Sequence, residues 1–189
     1  MCLIETSPEI ETRRLMLRAP DLMDAPRIAD LCADLEVARM TLRMPHPYTL
    51  SDAEAWIGRA QGQDPSKERN FVIDHEDCGV VGMISLFPQP GRPLGRGALA
   101  SPSLGSEIGY CIGQAWKGRG LATEAVQGIL SWARRDWRRR VVAGAHFTDN
   151  PASGRVLEKA GFLYTGERMP MFSVARATAT EARMMVWLA

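Results

Sequence analysis

Apolar and polar positions alternate in RRLMLRA at residues 13–19, the period of a short strand. The next segment, DLMDAPRIADLCADLEVARM, places Met23, Ile28, Leu31, Cys32 and Leu35 near helical spacing. Pro26 suits only a first turn, so this helix should begin close to Asp24. In YTLSDAEAWIGRAQ, Ser51 and Glu54 match the S-x-x-E capping box ahead of a helix over residues 52–61, with Ala53, Trp56, Ile57 and Ala60 on one face. NFVIDHEDCGVVGMISLF predicts two strands joined by a turn around His75 to Cys78. Residues 88–105 are rich in Gly, Pro and Ser and have no period, which predicts a mobile loop. Residues 106–113 predict a strand. From Leu121, apolar residues at Ala125, Val126, Ile129, Leu130, Ala133 and Trp137 trace an amphipathic helix.

A further strand follows at residues 140–147. The stretch NPASGRVLEKAGF then predicts a short helix with Asn150 as N-cap, Pro151 in the first turn and Gly161 at its stop. Two strands near residues 162–168 and 183–188 close the chain. Interleaved strands and helices predict an α/β (α+β) class, and without internal repeats the expectation is one domain over residues 1–189.

Composition narrows the function. The 189 residues carry 23 basic and 22 acidic side chains, a net charge of +1, which argues against nucleic-acid binding by bulk charge. Cys2, Cys32, Cys78 and Cys111 are scattered with no CxxC pair, and His46, His75 and His146 lack metal-ligand spacing. No metal site or disulfide framework is expected. No apolar run reaches the ~20 residues of a membrane span, and MCLIETSPEIETRR lacks the basic-then-apolar order of a signal peptide. A cytoplasmic protein without membrane attachment is the expectation.

The most informative stretch is AWKGRGLATEA, residues 115–125. A strand runs into a turn with two glycines and two cations, and a helix follows at once. The first amides of that helix have no internal partner, and the helix dipole is positive there. Glycines let the backbone curl around an anion, most often a phosphate. The P-loop pattern fails, because Arg119 and Gly120 follow where Lys and Ser or Thr are needed. The dinucleotide fingerprint fails at its third glycine, where Thr123 stands.

The turn instead resembles the acyl-CoA pyrophosphate loop of the GCN5-related N-acetyltransferase (GNAT) superfamily, Q/R-x-x-G-x-G/A, here Lys117-Gly118-Arg119-Gly120-Leu121-Ala122. Lys at the first position departs from the usual Gln or Arg. ETRRLMLRAP, PYTLSDAEAWI, EIGYCIGQAWKGRGLATEA and NPASGRVLEKAGF follow in the order seen in the RimJ/RimL-like branch, so the resemblance covers nearly the whole chain.

It implies a mixed, twisted sheet of about seven strands with helices on both faces and a splay between two central parallel strands, mapped to residues 106–113 and 140–147. Acetyl-CoA would lie in the splay as acyl donor, its pyrophosphate on the turn from Lys117 to Thr123. The pantetheine arm would pair with the main chain at Cys111 and Ile112, where an amide could polarise the thioester carbonyl.

The implied reaction is direct acetyl transfer to a primary amine, which must first lose a proton. Glu107 is the candidate base, probed against the alternative of an edge-facing surface glutamate. Asn150 caps a helix and, by resemblance, also bonds the pantetheine arm. Ser153 would protonate the leaving thiolate or hold a water that does. Relatives often use a tyrosine there; Tyr110 and Tyr164 are present but match no usual position.

Glu124 reads as structural, and the arginine-rich residues 134–140 as a solvated helix end. Cys111 reads as a small core residue beside the thioester, and His46 as a loop histidine. The first two helices and residues 88–105 should wall the acceptor side, with Met40, Met44, Tyr48 and Trp56 contributing. Expected partners are acetyl-CoA and an amine, either a ribosomal or other protein N-terminus or a small molecule, handled by a monomer or homodimer. The alternatives are a CoA-binding sensor of the same fold without turnover, and more distantly an RNA binder using the arginine cluster.

Overall fold

The computed structural model describes residues 7–88 and 105–189. The predicted loop at residues 88–105 lies almost wholly outside them, as does Cys2. Among the described residues, eight strands form one sheet: β1 (Ile10–Glu11), β2 (Leu15–Arg18), β3 (Arg69–His75), β4 (Gly79–Pro88), β5 (Ser106–Ile112), β6 (Val141–Phe147), β7 (Leu163–Ser173) and β8 (Thr178–Leu188). Their order is β1-β2-β3-β4-β5-β6-β8-β7. Sequence patterning predicts about seven, because a two-residue strand such as β1 carries no period. It also stops β7 short and starts β8 late: the missed ends bury Met171, Ser173 and Ala182, but with Ser173 inside and Phe172 outside their residue types do not follow the burial.

Among the described residues, five α-helices connect the strands: α1 (Ala25–Cys32), α2 (Leu35–Ala38), α3 (Leu50–Gly62), α4 (Leu121–Arg135) and α5 (Pro151–Lys159). The helix anticipated from Asp24 onward is broken at Asp34, whose carboxylate accepts from the Glu36 amide and starts α2 as a separate turn. The cap of α3 also differs from expectation. Thr49 accepts from the Asp52 amide, and Asp52 accepts in return from the Thr49 amide at 2.8 Å. Ser51 and Glu54 lie inside the helix; the T-x-x-D box two residues earlier wins because both of its partners close.

Alternation along the strands gives each face of the sheet its own layer. Phe71, Ile73, Ile84 and Leu86 pack with Ala125, Val126, Ile129 and Leu130 of α4 and Leu157 of α5. Val72, Val80 and Met83 point the other way, onto Ile28 and Cys32 of α1 and Ala53 and Ile57 of α3. Each fully buried aliphatic side chain here contributes about 1.5–3 kcal/mol.

The site is positioned by the only parallel pair in the sheet as described. β5 and β6 pair at Ser106↔Val142 and Glu107↔Ala143, and no further. Beyond that point each strand stays with its antiparallel neighbour. β5 follows β4 to Gly82↔Ile112, and β6 follows β8 to Phe147↔Ala182. Sheet twist then carries the two strands apart.

Two glycines shape this opening. A Cβ on Gly82 would lie 2.2 Å from the Cys111 carbonyl oxygen, so only glycine lets β4 hold β5 this closely. A bulge leaves Val81 as the extra residue of β4, and its carbonyl accepts the Gly113 amide at 3.0 Å. At Gly144 the missing side chain leaves room for Phe162 and Ile108, which would stand 3.1 and 3.4 Å from a Cβ.

Candidate active site

Both strands of the splay lead at their carboxyl ends into helices, β5 through a short turn into α4 and β6 into α5. Ligands in such sheets bind outside the carboxyl ends, where neighbouring strands separate. A cavity of about 330 Å³ opens there. Glu107, Tyr110 and Cys111 of β5, His146 of β6, and Asn150 and Ser153 at the start of α5 all line it. Of the residues singled out from the sequence, Glu107, Cys111, Asn150 and Ser153 are therefore brought together. Ile112 is buried behind this wall, and the turn from Lys117 to Thr123 lies beyond the cavity at the head of α4.

Glu107 is 8% exposed and has strand partners on both sides, Phe87 and Ala143. It is not an edge-facing surface residue. From Ile108 onward, the edge of β5 turned toward β6 has no strand partner.

Sequence reasoning did not find the contact between Tyr110 and Ser153. The Tyr110 hydroxyl lies 2.8 Å from the Ser153 hydroxyl and 3.2 Å from the Ser153 carbonyl, to which it can donate. Burial raises Tyr110 to about 12, against a smaller opposing effect of the Ser153 hydrogen bond. Tyr110 occupies β5 rather than a helix, and the period-2 alternation of SEIGYCI, which sets Tyr110 beside Ile108 and Ile112, was the available signal. The Asn150 side chain accepts from the Ser153 amide at 3.2 Å, so one residue caps α5 and orients the other.

Tyr164 is committed elsewhere. His146 Nδ1 is 2.9 Å from the Phe147 carbonyl and must carry the proton, leaving Nε2 to accept from the Tyr164 hydroxyl at 3.1 Å. A Cβ on Gly154 would sit 2.8 Å from His146 Nε2, so glycine there admits α5 to this pair.

Gly118 and Gly120 in the turn both have φ of +78°, the left-handed region that glycine enters at least cost. Lys117, Gly118, Arg119 and Gly120 are exposed, and the first amides of α4 beyond Gly120 have no partner within the helix. Arg119 stacks on Trp116 at 4.9 Å, and Lys117 donates to the Glu36 carbonyl at 3.2 Å.

Glu124 ties this helix start to the turn between β1 and β2. Its carboxylate accepts from the Thr12 hydroxyl at 2.8 Å, the Arg14 amide at 2.7 Å and Arg14 Nε at 2.8 Å. Burial by itself raises the Glu124 carboxyl, and these bonds outweigh it, so the group is held below its usual range. Arg14 also donates to the Arg119 carbonyl, fixing the turn from outside.

The far wall of the cavity comes from residues 40–45, Tyr48 and the inner face of α3. Met40, Met44, Tyr48 and Trp56 all contribute, as expected, but α1 does not: its apolar face is spent on the sheet. His46 is exposed and lies off the cavity wall. Cys111 is half-buried and packs on Cys32 of α1. The hydrogen bond between these thiols, together with burial, pushes Cys32 up and keeps it protonated. Among the described residues, no three His, Cys, Asp or Glu side chains are grouped to hold a metal ion, and no helix is long and apolar enough to cross a membrane.

Comparisons with known proteins match this geometry. A family model described as the acetyltransferase (GNAT) domain matches residues 14–163. L-amino acid N-acetyltransferase AaaT of Escherichia coli (strain K12) is 29% identical over 156 residues, 80% of this chain and 85% of that protein. Two solved structures share the fold. RimL, a ribosomal L7/L12 alpha-N-protein acetyltransferase in complex with coenzyme A, superposes with a TM-score of 0.76 at 18% identity, covering 96% of this chain and 98% of that one. Mycobacterium smegmatis RimJ, in complex with CoA-disulfide, superposes with a TM-score of 0.77 at 15% identity, covering 96% and 88%. The splayed strands, the glycine turn and a family match across most of the chain agree: this chain belongs to the GNAT family of acetyltransferases.

Proposed function

We propose that this chain is an acetyl-CoA-dependent N-acetyltransferase that moves an acetyl group directly onto a primary amine, of a protein N-terminus or of a small molecule. The observation that carries the reading is the cavity in the splay, where Glu107 faces the same space as the linked hydroxyls of Tyr110 and Ser153. A candidate base and a candidate acid meet there beside an unpaired strand edge.

The residues present fit acetyl-CoA. The free edge of β5 at Cys111 and Ile112 offers main-chain groups to an amide-bearing arm. The turn from Lys117 to Thr123, exposed at Lys117, Gly118, Arg119 and Gly120, offers amides and two cations to a pyrophosphate. When bound, acetyl-CoA supplies the activated acyl group. Glu107 takes the proton of the acceptor ammonium, directly or through a water, which frees the lone pair for attack. Ser153 gives its proton to the departing sulfur. Tyr110 turns its O–H from the Ser153 carbonyl to the Ser153 hydroxyl oxygen and passes its proton there; the second proton shed by the attacking nitrogen returns through water to Tyr110, and the proton on Glu107 leaves to solvent.

The names of the relatives span both acceptor classes. RimL is named for a protein amine and AaaT for free amino acids. The reading is tested by incubating the purified protein with carbon-labelled acetyl-CoA and a cell extract, then counting macromolecules and small molecules separately. Label in protein assigns a protein amine, and label in the small-molecule fraction assigns a metabolite or drug amine. No label in either, with CoA still raising the melting temperature, overturns the enzyme reading in favour of a CoA-binding module.

A further inference from the structure

We propose that the acceptor is a free α-amino acid with a bulky apolar side chain, its carboxylate read by Arg43 and Arg59; this rests on acetyl transfer at the cavity as proposed above. The acceptor wall has two parts of different chemistry. Its depth is thioether and aromatic, with Met44, Met83, Met171, Trp56 and Phe87 all facing the space. Methionines adapt to irregular apolar groups, and a volume of about 330 Å³ is at the small end of ligand pockets.

The charged groups on this wall decide the rest. Three acids line the cavity, and each is already engaged. Asp52 accepts from the Thr49 amide and hydroxyl at the cap of α3, at 2.8 and 2.6 Å. Glu68 accepts from Asn70 Nδ2 at 3.2 Å, and Asn70 is in turn held by Ser85 and Gln63. Glu107 has partners of its own within the protein and faces the reacting end.

Two cations line the same wall, and among the described residues neither forms an ion pair or donates a hydrogen bond. Arg43 rests over the Phe87 ring at 4.8 Å, which positions the guanidinium without neutralising it. Arg59 helps hold Asp52 below the usual carboxylate range, after the stronger hydrogen bonds from Thr49.

What this wall leaves unanswered is therefore hydrogen-bond donor capacity, on the two guanidiniums. A polyamine would bring a remote ammonium, itself only a donor, to guanidiniums that accept nothing. An α-amino acid does the reverse: its amine faces Glu107, its apolar side chain fills the methionine and aromatic depth, and its carboxylate meets guanidiniums suited to two-point hydrogen bonding. A peptide N-terminus carries an amide where that carboxylate would be, and leaves both arginines unanswered.

The test follows CoA thiol release by the purified protein with acetyl-CoA and a set of amines: L-leucine, L-phenylalanine, L-leucinamide, glycine, a leucine-initiated tripeptide and spermidine. L-leucine and L-phenylalanine should exceed leucinamide, glycine, tripeptide and spermidine by about tenfold in kcat/KM. Arg43→Ala and Arg59→Ala should each raise KM for L-leucine about tenfold. They should leave kcat, the leucinamide rate and the CoA-induced rise in melting temperature unchanged. Arg59→Lys should recover part of the loss. Leucinamide, tripeptide or spermidine turned over as well as L-leucine, or arginine variants without effect, overturns the amino-acid assignment and leaves acetyl transfer standing. Failure of every amine to release CoA overturns the assignment together with the enzyme reading, and a missing CoA-induced rise would further remove the donor site.

Discussion

Tyr110 on β5 and Ser153 on α5 meet across the splay, hydroxyl to hydroxyl, at 2.8 Å. Neither residue is near the other in sequence; the parting of β5 from β6 brings them together. If they act as one proton-donating unit, Ser153→Ala and Tyr110→Phe should each lower kcat by about 10²-fold, with little change in CoA affinity. The double variant should be no worse than the worse single one, because residues of one network are not additive. Single-turnover rates and CoA titrations check this. Burial holds the neutral form of Tyr110 up to about pH 12, so Tyr110 should not limit activity below pH 10. The same shift makes the folded state bind the extra proton. Its contribution to stability is complete below about pH 10, the unfolded value, and is lost as pH rises toward 12.

Glu107→Gln removes the candidate base and keeps the shape of the site. Turnover should fall by about 10²-fold or more, and the acidic limb of the kcat/KM profile should disappear. CoA should still raise the melting temperature. A variant with wild-type turnover at every pH would take Glu107 out of the mechanism.

At the head of α4 the backbone sets the constraint. A Cβ on Gly118 would meet nothing within 4 Å, so space is not limiting there; the φ of +78° is. Gly120→Ala should cost about 1–2 kcal/mol in chemical denaturation, because it places an L side chain in the left-handed region. Gly118→Asp adds a negative charge where a pyrophosphate is proposed, and should abolish the rise in melting temperature with CoA. Normal CoA binding by that variant would relocate the donor site.

Glu124 locks α4 to the segment before β2 through Thr12 and Arg14. Glu124→Gln should destabilise the fold by about 1–3 kcal/mol, since it weakens charge-assisted bonds to partly buried donors. The folded carboxyl is held below its usual value. Its stabilisation is therefore present above about pH 4.3, the unfolded value, and is lost as pH falls. Denaturation midpoints for wild type and variant should converge on acidification through that range.

Gly154→Ala would bring a methyl group to 2.8 Å from His146 Nε2 and 2.9 Å from the Tyr164 hydroxyl. Neither ring is the loose end of a flexible chain. The variant should lose about 1–3 kcal/mol and shift the His146 ring resonances, which NMR would detect.

Much of the scaffold is legible in the sequence. Alternation and helical periods locate β2 to β6, α1 and α3 to α5, since each buries one face or stripe that the pattern marks. Asn150, Pro151 and Gly161 delimit α5 because capping is local chemistry. The glycine turn is legible for the same reason: positive φ and free helix amides belong to one short segment. The sequence misjudges β1, which is too short to repeat, the cap of α3, where two candidate boxes overlap, and the ends of the β7–β8 hairpin, where Ser173 is buried and Phe172 exposed.

The site is divided between the two levels. Sequence by itself determined the residue types at the strand ends and helix starts, and with them the family resemblance, because those features depend on neighbours a few residues apart. Only the tertiary structure decided that Tyr110 stands behind Ser153, that Glu107 is buried in a central strand, and that Arg43 and Arg59 face a wall whose acids are already engaged. Those facts depend on how far β5 and β6 stay paired. That pairing ends after two residues because β4 and β8 hold them in diverging directions, a balance of long-range contacts with no period along the chain to announce it.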